Sequence, residues 1–259
     1  MLANGAMHFE HKPDELPEKL ADGTNLRLWP TSFELSNFLC THPEYVVGKR
    51  VVELGSGSGA VGLVCAALGA ASVTLTDVPD ALALIARNSE LNPPPTGTTV
   101  RVSPCLWGDA EHIERLLAES AGGFDVVLCC EVVYQQKAEV LTALAHTQRA
   151  LARSDGDVPS KVLLAYEFRS GLSEDVVYFD AATQLFGDST AHTLDSGEAA
   201  QFMGGNADDG SEDRLLYIYD VPVANTDTSD GGSVRGDSHH ISSNSCGDAA
   251  GNEAAAAGA

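Results

Sequence analysis

Residues whose types and spacing suit ligand chemistry fall in four short segments. They are a glycine run at 55–62, a lone acid at Asp77, an indole at Trp107, and a carboxylate three residues before an aromatic ring, Glu131 and Tyr134. Asp77 can accept hydrogen bonds from ribose hydroxyls and Trp107 can cover an adenine ring. Glu131 and Tyr134 together can present a carboxylate and an aromatic face to one cavity. The set predicts a nucleotide site beside a second polar site.

The glycine run admits two interpretations. Residues 57–62 read G-x-G-x-x-G, the dinucleotide fingerprint, whereas residues 53–59 read E-x-G-x-G-x-G, the turn of S-adenosylmethionine sites. Glycines allow positive φ and close approach of the backbone to a ligand beside a helix dipole. Glu53 favours the second interpretation, because a carboxylate suits an amino group and a sulfonium better than a pyrophosphate. Asp77, 24 residues after Glu53, suits either nucleotide and leaves the choice open.

Alternating strand and helix patterns position these four segments. Short β-branched runs predict strands at Arg50–Leu54, Ser72–Thr76, Val100–Pro104, Phe124–Cys129, Lys161–Tyr166 and Arg214–Val221. The segments between them predict helices at Ala60–Leu68, Pro79–Leu91, Ala110–Ser120, Gln135–Arg153 and Ser173–Phe186. Apolar strands alternating with helices indicate a parallel, doubly wound α/β sheet covered on both faces. Ligands bind at the carboxyl ends of such strands, where the four segments fall.

Charge and composition limit the partners. The 259 residues carry 15 Lys and Arg against 37 Asp and Glu, a formal charge of −22. This balance argues against binding to nucleic acid or to an anionic membrane surface. The six cysteines form no C-x-x-C pair and the eight histidines show no ligand spacing, so neither disulfides nor a metal site are expected. Reduced thiols favour a cytoplasmic protein, with a nuclear one as the alternative, and we expect a monomer without a membrane span.

Composition also marks the domain limits. Residues 1–24 are polar and proline-bearing, which predicts an irregular lead-in to a domain at 25–223. Residues 224–259 lack large apolar side chains almost entirely, so we expect a disordered acidic tail rich in Gly, Ser and Ala. The polar segment 187–213 is interpreted as a surface loop. About half of the net negative charge lies in that loop and in the tail.

Eight short segments, taken in order, form a recognisable pattern. They read L-W-P at 28–30, V-E-L-G-S-G-S-G-A-V-G-L at 52–63, T-D at 76–77, L-W-G at 106–108, F-D-V-V-L at 124–128, E-V-V-Y at 131–134, Y-E-x-R at 166–169 and S-E-D-R-L-L-Y-I-Y at 211–219. Together they resemble methyltransferase family 16, over residues 25–220. The closest likeness is to its methyltransferase-like 21 group, which includes the lysine methyltransferase of valosin-containing protein and an enzyme acting on Hsp70 chaperones.

The resemblance implies a fold, a cofactor and an activity. It implies a class I, Rossmann-like methyltransferase with a seven-stranded, mostly parallel doubly wound sheet. The cofactor would be S-adenosyl-L-methionine, and the substrate a lysine of a non-histone protein such as a chaperone or an AAA ATPase. Neither a metal nor a nucleic acid would take part.

The resemblance also assigns roles to single residues. The positions that it places at the cofactor are Trp29, Gly55, Ser56, Gly57, Asp77, Trp107 and Cys130, to which the turn itself adds Glu53 and Gly59. Glu131 and Tyr134 fill the acidic-x-x-aromatic motif beside the transferred methyl group. Two positions depart from the family pattern, because Glu131 stands where Asp is more frequent and Pro30 stands where close relatives often have Asp.

The expected chemistry limits what Glu131 can do. A lysine with a pKa near 10.4 is neutral in about one molecule in 2,500 at pH 7, equivalent to roughly 4.6 kcal/mol. A carboxylate with a pKa near 4.3 is about 6 units too weak to remove that proton. Glu131 is therefore interpreted as the residue that captures and aligns the amine, while the proton leaves through water. Tyr134 would form one wall of the channel that receives the lysine side chain.

Three other functions remain open at the level of sequence. A small-molecule methyltransferase fits because the residues of the substrate pocket cannot be identified from the sequence. A binding module that holds the cofactor or a partner without catalysis, and a nicotinamide oxidoreductase, are the other two.

Overall fold

The computed structural model describes Met7 and residues 28–153, 158–168, 174–194 and 214–223. All of these belong to a unit that spans residues 1–224, and the second unit, 225–259, lies outside them. The lead-in at 1–24, apart from Met7, and the tail at 224–259 are therefore outside the described residues and stay predictions.

A seven-stranded sheet forms the centre of the fold. Its strands are β1 (Arg50–Leu54), β2 (Ser72–Asp77), β3 (Thr99–Pro104), β4 (Val126–Cys130), β5 (Lys161–Glu167), β6 (Ser189–Thr193) and β7 (Arg214–Asp220). Their order across the sheet is β3-β2-β1-β4-β5-β7-β6. The first five strands are parallel, whereas β7 pairs antiparallel with both β5 and β6. The mostly parallel, doubly wound sheet that the sequence predicts is confirmed.

Six α-helices lie in the described ranges. They are α1 (Pro30–Thr41), α2 (Ala60–Leu68), α3 (Leu82–Leu91), α4 (Ala110–Glu119), α5 (Ala138–Leu151) and α6 (Asp175–Phe186). Short 3-10 turns at Pro43–Tyr45 and Pro79–Ala81 precede β1 and α3. No helix within these ranges is long and apolar enough to cross a membrane.

The two faces of the sheet bury separate apolar clusters. Alternate residues of β1 point to opposite faces, since Val52 packs with the helices α4, α5 and α6 and Val51 packs with α1, α2 and α3. β4 behaves likewise, with Val127 in the first cluster and Leu128 in the second. Burial on both faces explains why β4 reads as an unbroken apolar run, V-V-L-C-C, and why β1 is apolar except for Arg50 and Glu53.

Strand β6 corrects the prediction of a surface loop at 187–213. Residues Ser189–Thr193 form the outer strand of the sheet, in register with Thr193 opposite Leu215 of β7. The segment escapes pattern analysis because an edge strand is exposed on most sides and its sequence, S-T-A-H-T, shows no apolar alternation. Residues 195–213 lie outside the described residues.

Helix α5 begins three residues later than its sequence predicts. Gln135 has a φ of 50°, and Lys137 is extended in front of the first helical turn. Neither conformation can continue a right-handed helix. Residues 131–137 therefore form a loop at the carboxyl end of β4.

Candidate active site

The glycine run forms a tight turn between β1 and α2. Gly55, Gly57 and Gly59 have φ values of 67°, 56° and 78°, a region that other residues rarely adopt. Ser56 fixes this turn to β2, because its hydroxyl accepts a hydrogen bond from the Thr76 amide at 2.9 Å and its own amide donates to the Thr76 carbonyl, also at 2.9 Å. The turn is thus held in one conformation by backbone and hydroxyl groups.

Asp77, at the end of β2, supports the turn from the opposite side. Its Oδ2 accepts a hydrogen bond from the Gly57 amide at 2.8 Å, and its Oδ1 accepts one from the Val78 amide at 2.7 Å. Burial raises the pKa of this carboxyl group, although both hydrogen bonds oppose the shift. Each oxygen retains a second lone pair with which to accept from a ligand hydroxyl.

Glu53 lies beneath the first turn of α2. Only 2% of the residue is exposed, and its Oε2 accepts a hydrogen bond from the Gly62 amide at 3.1 Å. Burial is the main reason that its pKa is raised to about 8. The sequence assigns Glu53 to the cofactor; the geometry adds that it ties β1 to α2, and direct contact with a ligand stays a prediction.

The buried carboxyl group of Glu53 predicts a specific pH dependence of stability. With a pKa of about 8, against 4.5 when solvated, the folded protein keeps a proton that the unfolded chain releases as the pH rises. The stability from this proton is fully present below about pH 4.5 and is lost by about pH 8. Since Glu53→Gln has no proton to release, the advantage of wild type over this variant should fall between those pH values. Urea unfolding of both proteins tests this, and a difference that does not change with pH would contradict it.

Trp107 and Val132 pack against the turn from the neighbouring strand ends. A Cβ atom added to Gly55 would lie 3.3 Å from the Trp107 ring and 2.7 Å from Val132 Cγ1. Trp107 is half-buried, so one part of its indole lies at the turn while another part remains accessible. The structure therefore brings Trp107 to the glycine turn, as the assignment to an adenine ring requires.

Trp29 and Tyr134 contact each other through their rings. Trp29 directly precedes α1, and its ring centroid lies 6.1 Å from that of Tyr134 in a tilted arrangement. Cys130 lies at the end of β4, and its Sγ is 3.6 Å from the Ser32 hydroxyl of α1. Burial and then the Glu131 carboxylate raise the pKa of the Cys130 thiol well above its usual value, which disfavours the reactive thiolate form.

Glu131 leaves the end of β4 with an unusual backbone conformation. Its φ is 57°, the left-handed region that non-glycine residues rarely occupy. Its amide donates to the Ala165 carbonyl at 3.0 Å, and its Oε1 accepts from the Glu167 amide at 2.8 Å. The end of β5 thus fixes both the backbone and the carboxylate of Glu131.

An ion network beside Glu131 is the part of the site that sequence reasoning missed. Arg214 lies between Glu34 of α1 and Glu167 of β5. The Y-E-x-R and S-E-D-R segments contain two of these residues, but no sequence spacing joins them to Glu34, 180 positions before Arg214. Arg169, Ser211, Glu212 and Asp213 of the same segments lie outside the described residues.

A cavity of about 600 Å³ lies at the end of the sheet opposite to the predicted site residues. It borders the amino ends of β4 and β5, where Asp125 already pairs with Arg50 and Arg153 at 3.3 and 3.0 Å. None of the predicted site residues lines it. The predicted cofactor residues Asp77 and Trp107 lie instead with the glycine turn, at the carboxyl ends of the strands.

The residues at the carboxyl ends of the strands fit S-adenosylmethionine. A glycine turn held by Ser56 offers backbone amides, Asp77 offers acceptors for a ribose, and Trp107 offers an aromatic face. The carboxylate of Glu131, held at the end of β5, supplies a negative charge that suits a sulfonium and an ammonium. Among the described residues, no group of three or more His, Cys, Asp or Glu side chains is arranged to hold a metal ion.

Similarity to known proteins agrees with this site. A profile of the lysine methyltransferase family matches residues 10–185. Protein N-lysine methyltransferase METTL21A of Danio rerio is 36% identical over 167 residues, which cover 61% of this chain and 73% of that protein. EEF1A lysine methyltransferase 3 of Mus musculus is 37% identical over 112 residues, 43% of this chain and 45% of that protein.

A solved structure supports the fold alone. The PH0226 protein from Pyrococcus horikoshii OT3 aligns with a TM-score of 0.51 at 11% identity, over 73% of this chain and 88% of that chain.

The family match resolves the glycine run in favour of S-adenosylmethionine and confirms the resemblance to the methyltransferase-like 21 group. The chain belongs to the lysine methyltransferase family, and it is an S-adenosylmethionine-dependent methyltransferase.

Proposed function

We propose that this protein methylates a lysine of a non-histone protein, with Glu131 and Tyr134 as its catalytic residues. One observation carries the proposal. The end of β5 holds the Glu131 carboxylate at the carboxyl ends of the parallel strands, where the glycine turn also lies. A negative charge at that position attracts an ammonium group and disfavours a phosphate. The relatives named above as lysine methyltransferases support the same substrate class.

The proposed mechanism depends chiefly on alignment. Bound S-adenosylmethionine supplies a methyl group on a positively charged sulfur. Glu131 holds the incoming amine, and Tyr134 and Trp29, whose rings lie 6.1 Å apart, exclude water from one side of it. Because a carboxylate is too weak to deprotonate the ammonium ion, Glu131 orients the nitrogen and the proton leaves through water.

The turn residues have a separate role in holding the cofactor. We propose that Gly55, Ser56 and Gly57 contact its methionine portion, Asp77 its ribose and Trp107 its adenine. Cys130 would contribute its backbone, and Glu53 and Gly59 keep the turn in place. The Ser56 and Asp77 hydrogen bonds described above support this arrangement.

Labelling with the cofactor can identify the substrate protein. We infer a folded protein that presents a lysine. A chaperone, an AAA ATPase and EEF1A, which the name of one relative contains, are the first to test. Incubation with tritiated S-adenosylmethionine and a cell extract should label discrete protein bands, in which mass spectrometry should find methyllysine. Label confined to small molecules would support the alternative of a small-molecule methyltransferase, and no label would support a binding module.

We also propose a cytoplasmic monomer that does not bind nucleic acid. The described cysteines at 40, 65, 105, 129 and 130 are free thiols, as a reducing compartment allows. The net charge of −22 disfavours nucleic acid. Light scattering after size exclusion tests the monomer, and fluorescence microscopy of the tagged protein tests the cytoplasmic location.

Asp77→Asn should weaken cofactor binding. The amide keeps one acceptor oxygen, so the variant loses the hydrogen bond from either Gly57 or Val78 and the charge beside the ribose. We expect the dissociation constant for S-adenosylhomocysteine to rise about 10- to 100-fold, which corresponds to the loss of one or two charge-assisted hydrogen bonds. Calorimetric titration measures this, with Asp80→Asn, an exposed neighbour, as the matched control. Equal affinities for the two variants would contradict the role of Asp77.

A further inference from the structure

Arg214 joins two carboxylates that come from different layers of the fold. Its Nη1 lies 2.8 Å from Glu34 Oε1 of α1, and its Nε lies 3.4 Å from Glu167 Oε2 of β5. Arg214 and Glu167 are also register partners between β7 and β5. The three side chains are largely buried, with exposed fractions of 12%, 3% and 17% for Arg214, Glu34 and Glu167.

Stability alone is a weak reason for this buried network. Removing three ionised groups from water is unfavourable, and well-packed apolar residues in their place are often at least as stabilising. An incomplete network is much worse, because a buried carboxylate without its cation repels its neighbours. The position of the network is more informative than its energy.

The network contacts, through Glu167, the residue that we place at the amine. The Glu167 amide donates to Glu131 Oε1 at 2.8 Å, so the backbone at the end of β5 sets where the Glu131 carboxylate points. Glu131 itself has a φ of 57°, a conformation that persists only where surrounding contacts hold it. On the other side, Glu34 belongs to α1, the helix that begins directly after Trp29.

We propose that Arg214 is a positioning residue for methyl transfer. By binding Glu167 and Glu34 together, it fixes the end of β5 against α1 and so holds the Glu131 carboxylate in its productive orientation. The proposal rests on the function proposed above for Glu131. Arg214 itself touches neither the amine nor the cofactor.

Arg214→Met is the direct test. The variant keeps much of the aliphatic stem but removes the guanidinium that pairs with Glu34 and Glu167. We expect kcat for lysine methylation, per folded molecule, to fall about 10- to 100-fold, since a displacement of the order of 1 Å at a reacting group has this effect. Arg50→Met is the matched control, because Arg50 forms a partly buried ion pair with Asp125 at the amino ends of the strands, away from the site. Its kcat should stay within about twofold of wild type.

A double variant separates positioning from stability. Glu34→Leu with Arg214→Met removes both charges of the most buried pair, which should restore the thermal midpoint that Arg214→Met alone loses. Glu167 still lacks its guanidinium in the double variant, so kcat should remain low. Recovery of kcat together with stability would overturn the proposal.

Amide exchange at Glu167 gives a readout that does not require a substrate. NMR of the nitrogen-15-labelled protein should show this amide protected in wild type, because it donates to Glu131. We expect Arg214→Met to increase its exchange rate about tenfold or more relative to the Arg50→Met control. An unchanged rate would overturn the proposal. If wild type methylates no lysine while the exchange rates differ as expected, the proposed function fails and the positioning by Arg214 stands.

Discussion

Replacement of Glu131 by Gln should lower methyl transfer about 100-fold or more, the usual effect of removing one preorganised electrostatic contact. Glutamine has nearly the same shape and can still accept the hydrogen bond from the Glu167 amide, so the loop should stay in place. What disappears is the negative charge that captures the ammonium ion. Binding of S-adenosylhomocysteine should change by less than about threefold, since its recognition rests mainly on the glycine turn and Asp77.

The measurement is initial-rate methylation with tritiated cofactor, alongside calorimetric titration of S-adenosylhomocysteine. Glu139→Gln, an exposed acid in the first turn of α5, is the matched control for the loss of one negative charge. Unchanged transfer by Glu131→Gln would refute the catalytic assignment. Loss of transfer together with loss of cofactor binding would show instead that Glu131 supports the cofactor site.

Replacement of Gly62 by Ala should destabilise the protein by about 2 kcal/mol, as overpacked substitutions in cores commonly do. An added Cβ would lie 2.3 Å from Leu75 Cδ2 and 2.7 Å from Glu53 Oε2. Neither contact is tolerable, and Leu75 and Glu53 are both buried. The strain therefore outweighs the gain of about 1 kcal/mol that Ala normally brings to a helix interior.

Gly69→Ala is the control for this prediction. Gly69 ends the same helix with a φ of 99°, and a Cβ there meets nothing within 4 Å. We expect it to cost about 1 kcal/mol from its left-handed conformation alone. Urea unfolding of both variants decides the matter, and a Gly62→Ala protein as stable as wild type would show that α2 can shift away from the sheet. Such a shift would also weaken the hydrogen bond that the Gly62 amide donates to Glu53.

Gly62 has a packing role that the glycine spacing alone does not show. The sequence places it third in a possible dinucleotide fingerprint, whereas the structure shows that it allows α2 to approach β2 and Glu53. Helix–sheet contact depends on which residues face each other across chain segments. No spacing within one segment contains that information.

Strand β6 and the beginning of α5 mark where pattern analysis is least informative. Apolar periodicity predicts elements that bury a face, and it predicts β1, β2, β4 and β5 closely. β6 buries little and forms because β7 offers it a hydrogen-bonding edge. The loop at 131–137 likewise depends on Glu131 and Gln135 adopting positive φ, which nothing in their side chains favours.

The amino-acid sequence by itself determined the fold class, the family and the ligand-binding turn, because these depend on local signals: apolar period, glycine spacing and short ordered motifs. It also indicated which acids and aromatic rings lie at strand ends. Only the tertiary structure decided how they cooperate. Glu34, Glu167 and Arg214 come from α1, β5 and β7, and they meet beside Glu131 because the sheet order places β4, β5 and β7 side by side and α1 packs on β4 and β5. Such contacts arise from long-range packing, which the spacing of residues along the chain does not encode.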